Sequence, residues 1–157
     1  MKIPGLLTVA LIIVAAGAAC AQEVIRMIIR KQLPIVEGSI NGMKAYFIID
    51  TGASITVLNV DVAKKYHFIA VHNDFLNRYH ITGLGGNCTI LEVRNAELQF
   101  GRMKLEFINR ACALDNISRR FEPQMKIAGI IGTDVLAFLG SQINFSDSTL
   151  ILYHKRN

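Results

Sequence analysis

From Val24 onward the apolar positions come in short runs punctuated by Gly, Asn, Asp and Ser, a pattern that favours strands joined by tight turns. Val24 to Ile29 and Leu33 to Ile40 are predicted strands. Lys44 to Ile49 is a third, running into Asp50-Thr51-Gly52. Between the last two strands, Asn41-Gly42 is the strongest hairpin signal in the chain, because a two-residue turn of the favoured hand needs positive φ at both places. Asn59 to Tyr66 combines a capping residue with helical spacing of Val60, Ala63 and Lys64, which predicts a short helix. The stretch Ile81-Thr82-Gly83-Leu84-Gly85-Gly86-Asn87 is too rich in glycine for a strand interior. With Thr89 to Val93 after it, it predicts two strands around a mobile tip.

Ala96 to Phe100, the Gly101-Arg102 turn and Met103 to Ile108 predict a second hairpin, and Asn116 to Lys126 a polar loop. Ile127 to Ile131 is a buried apolar run. Thr133 to Leu139 predicts a short helix closed by Gly140, with last strands at Gln142 to Phe145 and Thr149 to Tyr153. The expectation is a single, mostly β domain with one or two short helices.

The 157 residues are 52% hydrophobic, and the first twenty-odd account for much of that excess. Lys2, an apolar run from Leu6 to Ala16 and the small residues Ala19-Cys20-Ala21 fit a secretory leader cut before Gln22. On this reading residues 1–21 are a signal peptide, residues 22–157 form the domain, and the product is periplasmic or secreted. Two other readings stay open: an uncleaved anchor helix from Ile3 to Ala21, and lipidation of Cys20. Only these involve a membrane.

The net charge of +5 is spread along the chain without a dense basic block, so nucleic acid is not an expected partner. Removing the leader leaves Cys88 and Cys112, for which export permits a disulfide without requiring one. His67, His72, His80 and His154 are too scattered to suggest a metal site.

Two stretches echo each other, Ile48-Ile49-Asp50-Thr51-Gly52 and Ile130-Ile131-Gly132-Thr133-Asp134. Each sets two apolar residues before a tight turn, as two halves of a domain related by a two-fold would. In the first, a carboxylate emerges from a buried strand onto a sharp turn that Gly52 relieves. Such a charge needs hydrogen bonds or a partner group. A plain turn-capping role for Asp50 is the simpler alternative.

Asp50-Thr51-Gly52 is preceded by Phe47-Ile48-Ile49 and followed by Ala53-Ser54-Ile55-Thr56-Val57-Leu58, the glycine-rich stretch, and Ile130-Ile131-Gly132. With these features in this order, the chain resembles the retropepsin-like aspartic proteases, in particular small exported bacterial members, from about Leu33 to Tyr153. The resemblance implies a closed β-barrel and an endopeptidase that needs neither metal nor cofactor. Asp50 then matches the catalytic aspartate, Thr51 the residue that bonds across to the other half-site, and Gly52 a backbone position near substrate. Ala53 and Ser54 follow on the substrate side, and Gly83, Leu84, Gly85 and Gly86 form the tip of a flap.

Ile131 and Gly132 match the apolar-Gly pair beside the catalytic loop. At Ala53 pepsin-type enzymes often carry Ser, and the missing hydroxyl argues for activity reaching milder pH than pepsin's. Thr133 stands where the retroviral pattern has Arg, so the dimer-stabilising ion pair made there does not carry over. Because the chain holds one Asp-Thr-Gly, the resemblance implies a homodimer acting on peptide or protein substrates. A non-catalytic peptide-binding module on the same barrel is the alternative. Ile55, Val57, Leu84 and Ile130 are candidate walls of the cleft, and each is more readily a core residue.

Overall fold

A computed structural model describes residues 22–78, 80–83, 86–121 and 125–153. The leader with Cys20, and Leu84 and Gly85, lie outside the described residues. The chain opens as a meander of β1 (Gln22–Arg30), β2 (Leu33–Ile40) and β3 (Met43–Ile49), paired antiparallel in turn. Asn41 and Gly42 sit at φ +51 and +77, the primed turn their identities predict.

After the Asp50 loop come β4 (Val57–Asn59), a 3-10 turn at Val60–Val62 and α1 (Ala63–Tyr66). The Asn59 side chain caps that turn by accepting from the Asp61 amide, and reaches Ile127 O with its own Nδ2. Next are β5 (Ile69–Val71), the hairpin β6 (His80–Gly83) and β7 (Gly86–Thr89), then β8 (Leu91–Arg94), β9 (Leu98–Phe100), β10 (Met103–Leu105) and β11 (Arg110–Cys112). The chain continues through α2 (Asp115–Ser118), β12 (Ile127–Ile131), α3 (Thr133–Phe138), β13 (Gln142–Asn144) and β14 (Thr149–Tyr153).

Twelve strands form one sheet in the order β13-β14-β1-β2-β3-β12-β4-β11-β8-β5, with β9 and β10 branching from β2. β1 turns the corner of this sheet: Gln22 to Arg26 pair with β14, and Met27 to Arg30 pair with β2. The mostly β architecture with short helices is as expected. Among the described residues, however, β13 and β5 end the path without pairing to each other, so the expected closed barrel is not fully closed.

Several elements depart from the sequence reading. The glycine-rich stretch is a regular ladder, with Ile81 opposite Cys88 and Gly83 opposite Gly86. Its return arm is therefore β7, and Leu91–Arg94 is a separate strand of the main sheet. Glycine weakens a strand without preventing its backbone from pairing. β5 and β11, three residues each, carry little pattern of their own and are placed by pairing with β8 on either side. Asn116 to Ser118, expected as the start of a loop, belong to the short helix α2 because Ile117 turns inward to full burial.

The side chains of β3 alternate between two apolar clusters. Ala45, Phe47 and Ile49 enter the larger one, where Phe47 meets Phe100 edge-on at 5.1 Å between ring centroids. Ile48 enters the second with Ile35, Val57, Cys112, Leu114, Ile117, Ile127 and Ile130. All five residues of β12 are buried, the continuous apolar run of a central strand covered on both faces. A register shift between Ile127 and Gly129 lets Ile127 and Ile130 share the second cluster while Ala128 and Ile131 face the first.

Candidate active site

The echo in the sequence is a physical pairing. β3 and β12 run parallel with Ile48 opposite Ile130 and Ile49 opposite Ile131, so the two turns that follow lie side by side. The Asp50 amide donates to Ile131 O at 3.0 Å, which carries the ladder one step into the first turn.

Asp50 is half-buried at the end of β3. Its Oδ1 accepts from the Gly52 amide at 2.9 Å, and its carbonyl accepts from the Ala53 amide at 3.2 Å. A Cβ on Gly52 would stand 3.2 Å from that same Oδ1, so glycine leaves room for the carboxylate to keep its backbone donor. Thr51, Gly52 and Ser54 are exposed, and Ala53 is half-buried.

The second turn holds the first from behind. The Thr133 amide and hydroxyl both donate to Ala53 O, at 2.8 and 3.1 Å. Gly132 packs so closely that a Cβ there would lie 2.6 Å from Ile55 O and 2.8 Å from Ala53 O. Its amide donates to Thr56 Oγ1 at 2.9 Å, and the Thr56 hydroxyl donates to Asp134 Oδ1 at 2.7 Å. Asp134 also accepts from the Thr56 amide through Oδ2 at 2.9 Å and from the Val135 amide through Oδ1 at 2.8 Å. Thr56 is 1% exposed, so this network works away from water.

Neither Thr56 nor Asp134 was among the residues singled out as a site. The available signal was an acid in the first turn of α3, where a carboxylate meets free backbone amides.

Of the residues picked out from the sequence, Asp50, Thr51, Gly52, Ala53, Ser54, Ile131 and Gly132 come together around these turns. Gly83 and Gly86 face each other at the end of the β6–β7 hairpin, whose tip residues Leu84 and Gly85 lie outside the described residues. That hairpin is a separate two-stranded sheet. A disulfide from Cys88 in β7 to Cys112 in β11, with Cα atoms 5.8 Å apart, joins it to the strand that runs parallel beside β4. The pairing that sequence reading left open is thus made. Among the candidate walls, Val57 and Ile130 are buried in the second cluster and Ile55 is half-buried against it.

A β-sheet with an Asp-Thr-Gly turn braced by a parallel, glycine-bearing twin is an acid-protease architecture. The aspartyl protease family model matches residues 36–135, well over half of the chain, and the chain belongs to that family. Among solved structures, a retropepsin-like aspartic protease from Rickettsia conorii matches with a TM-score of 0.50 at 16% identity, over 85% of this chain and 90% of that one. The EIAV protease complexed with the inhibitor HBY-793 matches with a TM-score of 0.49 at 20% identity, over 73% and 95%. The retroviral protease-like domain of Ddi1 from Leishmania major gives 0.44 at 16%, over 78% and 94%. No curated protein matches. At such identities the rickettsial likeness establishes the retropepsin-like fold.

Proposed function

We propose that this chain is an aspartic endopeptidase whose site is completed by a second copy, so that two Asp50 carboxylates face each other across a peptide-binding cleft. The observation that carries this reading is the asymmetry between the two turns. In the first, the half-buried Asp50 carboxylate accepts from the Gly52 amide of its own loop. In the second, both oxygens of Asp134 are engaged by Thr56 and Val135. The acid nearest by symmetry within the chain is therefore occupied in holding the loop together, and a second reactive carboxylate has to come from another molecule.

Two carboxylates brought close cannot both ionise easily, so they share one proton and hold a water between them. The ionised one takes a proton from that water as it attacks the peptide carbonyl. The protonated one hydrogen-bonds the carbonyl oxygen, and a proton later passes to the leaving amine. Thr51 bonds across to the opposite half-site, Gly52, Ala53 and Ser54 offer the substrate a groove floor, and the β6–β7 hairpin covers the cleft and excludes water. Ile131 and Gly132 act by fixing the loop. Export fits the Cys88–Cys112 bond, since disulfides persist in oxidising compartments.

The test is digestion of a peptide library by wild type and Asp50→Asn, with and without pepstatin, together with the mass of the protein in solution. Expected is cleavage by a dimeric wild type, blocked by pepstatin and absent from a folded Asp50→Asn protein. Cleavage surviving that substitution in a clean preparation would reject the assignment.

A further inference from the structure

Beside the second apolar cluster, at the same end of the sheet as Asp50, lies charge that this chemistry does not use. A cavity of about 210 Å³ is lined by Arg30, Lys31, Arg120, Phe121 and Met125. Two separate chain segments build it. Arg30 ends β1 and Lys31 begins the turn to β2, and the Lys31 ammonium donates to the carbonyl of Arg120 in the segment after α2, tying one wall to the other. Phe121 and Met125 pack against the same cluster as Ala53 and Ile55 of the Asp50 loop and Cys88 of the hairpin. One continuous apolar layer thus runs from the reactive loop to a cationic pocket.

The charge there is unbalanced. Arg30, Lys31, Arg119, Arg120 and Lys126 make five cations against the single acid Glu122 within these two segments, a surplus of four. All five are exposed. Elsewhere on the molecule Lys44, Arg94, Arg102 and Lys104 each pair with a glutamate. Among the described residues no ion pair involves any of the five.

We propose that this pocket is an outer subsite that takes an acidic side chain of the substrate, so that the protein selects peptides with a glutamate or aspartate some residues from the bond cut. The inference rests on the peptidase reading. Arg30 and Arg120 present forked donors suited to a carboxylate, while Phe121 and Met125 cover the methylenes that lead to it. Because that wall is apolar and the charge sits at its rim, glutamate, with one more methylene, fits better than aspartate.

The experiment uses peptide pairs that differ by Glu against Gln at each outer position. Wild type and the Arg30→Gln/Arg120→Gln protein are compared by kcat/KM, and binding of the same pairs is measured on Asp50→Asn. Expected is a Glu-over-Gln ratio of about tenfold at one outer position, the size of two or three exposed charge contacts, shrinking with added salt. In the double variant the ratio falls to near one. Equal handling of both peptides by wild type, or a ratio that survives in the double variant, overturns the subsite and leaves the peptidase reading standing. If wild type cleaves nothing while Asp50→Asn still binds the Glu peptide better, the peptidase reading fails and the anionic subsite stands. Absence of both cleavage and binding preference overturns the subsite as well.

Discussion

The Asp50 loop and the β6–β7 hairpin are proposed to face the same substrate from opposite sides, and they are held by opposite means. The loop is laced to its neighbour by backbone and side-chain bonds at Asp50, Ala53, Thr56, Gly132 and Thr133, the side-chain ones buried or partly buried. The hairpin pairs with itself and is joined to the main sheet by the Cys88–Cys112 bond and the packing of Cys88 on the second cluster. The first arrangement suits a group whose geometry must be set before substrate arrives. The second suits an element that has to open and shut, because a hairpin that pairs with itself can swing about its tether without giving up its own ladder.

Four variants separate the two regimes. The largest effect is expected for Gly132→Ala, where the new methyl meets the carbonyls of Ile55 and Ala53. A loss of roughly 4 kcal/mol in denaturant unfolding follows from forcing backbone apart in a packed site. An unchanged midpoint would mean that the two turns are less tightly joined than their spacing implies.

Replacing Cys88 and Cys112 together by Ser opens a link between residues 24 apart in sequence. It should cost about 3 kcal/mol through the freed unfolded chain. Hydrogen exchange should then quicken in β6 and β7 far more than around Asp50. Equal quickening in both places would erase the contrast.

Thr56→Val keeps the shape and removes the hydroxyl, leaving the Gly132 amide without its acceptor and Asp134 Oδ1 with the Val135 amide alone. About 2 kcal/mol of stability should be lost. Activity should fall by more than unfolding accounts for, measured well below the melting temperature.

The smallest effect belongs to Glu92, at the foot of the hairpin in β8. Hydrogen bonds from Arg94 and then Asn73 hold its carboxyl below the ordinary glutamate value of 4.5. A carboxyl depressed in the folded state stabilises it above that ordinary value, and the benefit disappears as pH falls through the folded one. Glu92→Gln should therefore narrow the stability gap between neutral and acid pH slightly, because the pair is exposed. Parallel pH profiles for the two proteins would show that the pair contributes nothing at the hairpin's base.

Local signals were legible where the backbone itself asks for a particular residue. Asn41-Gly42 named its turn, Asn59 its cap, and Thr149–Tyr153 emerged as a strand with the bounds the residues suggested. The turn at Lys31 and Gln32 gave no such sign. Both residues take positive φ, +50 and +65, because β1 and β2 pair up to Arg30 and Leu33 and leave two residues to close the hairpin. The cost of that conformation in ordinary residues is carried by the ladder on either side.

The candidate site divides in the same way. Asp50-Thr51-Gly52 and the Gly132 twin could be picked out as short strings, since a charge leaving an apolar strand and a glycine at a crowded turn are local demands. That Ile48 and Ile130 would stand opposite each other, that Thr56 and Asp134 would lock the pair, and that Phe121 and Ala53 would share one apolar layer were decided in three dimensions. Those relations join residues far apart along the chain, and no periodicity records a contact between segments that meet only once the core has closed around them.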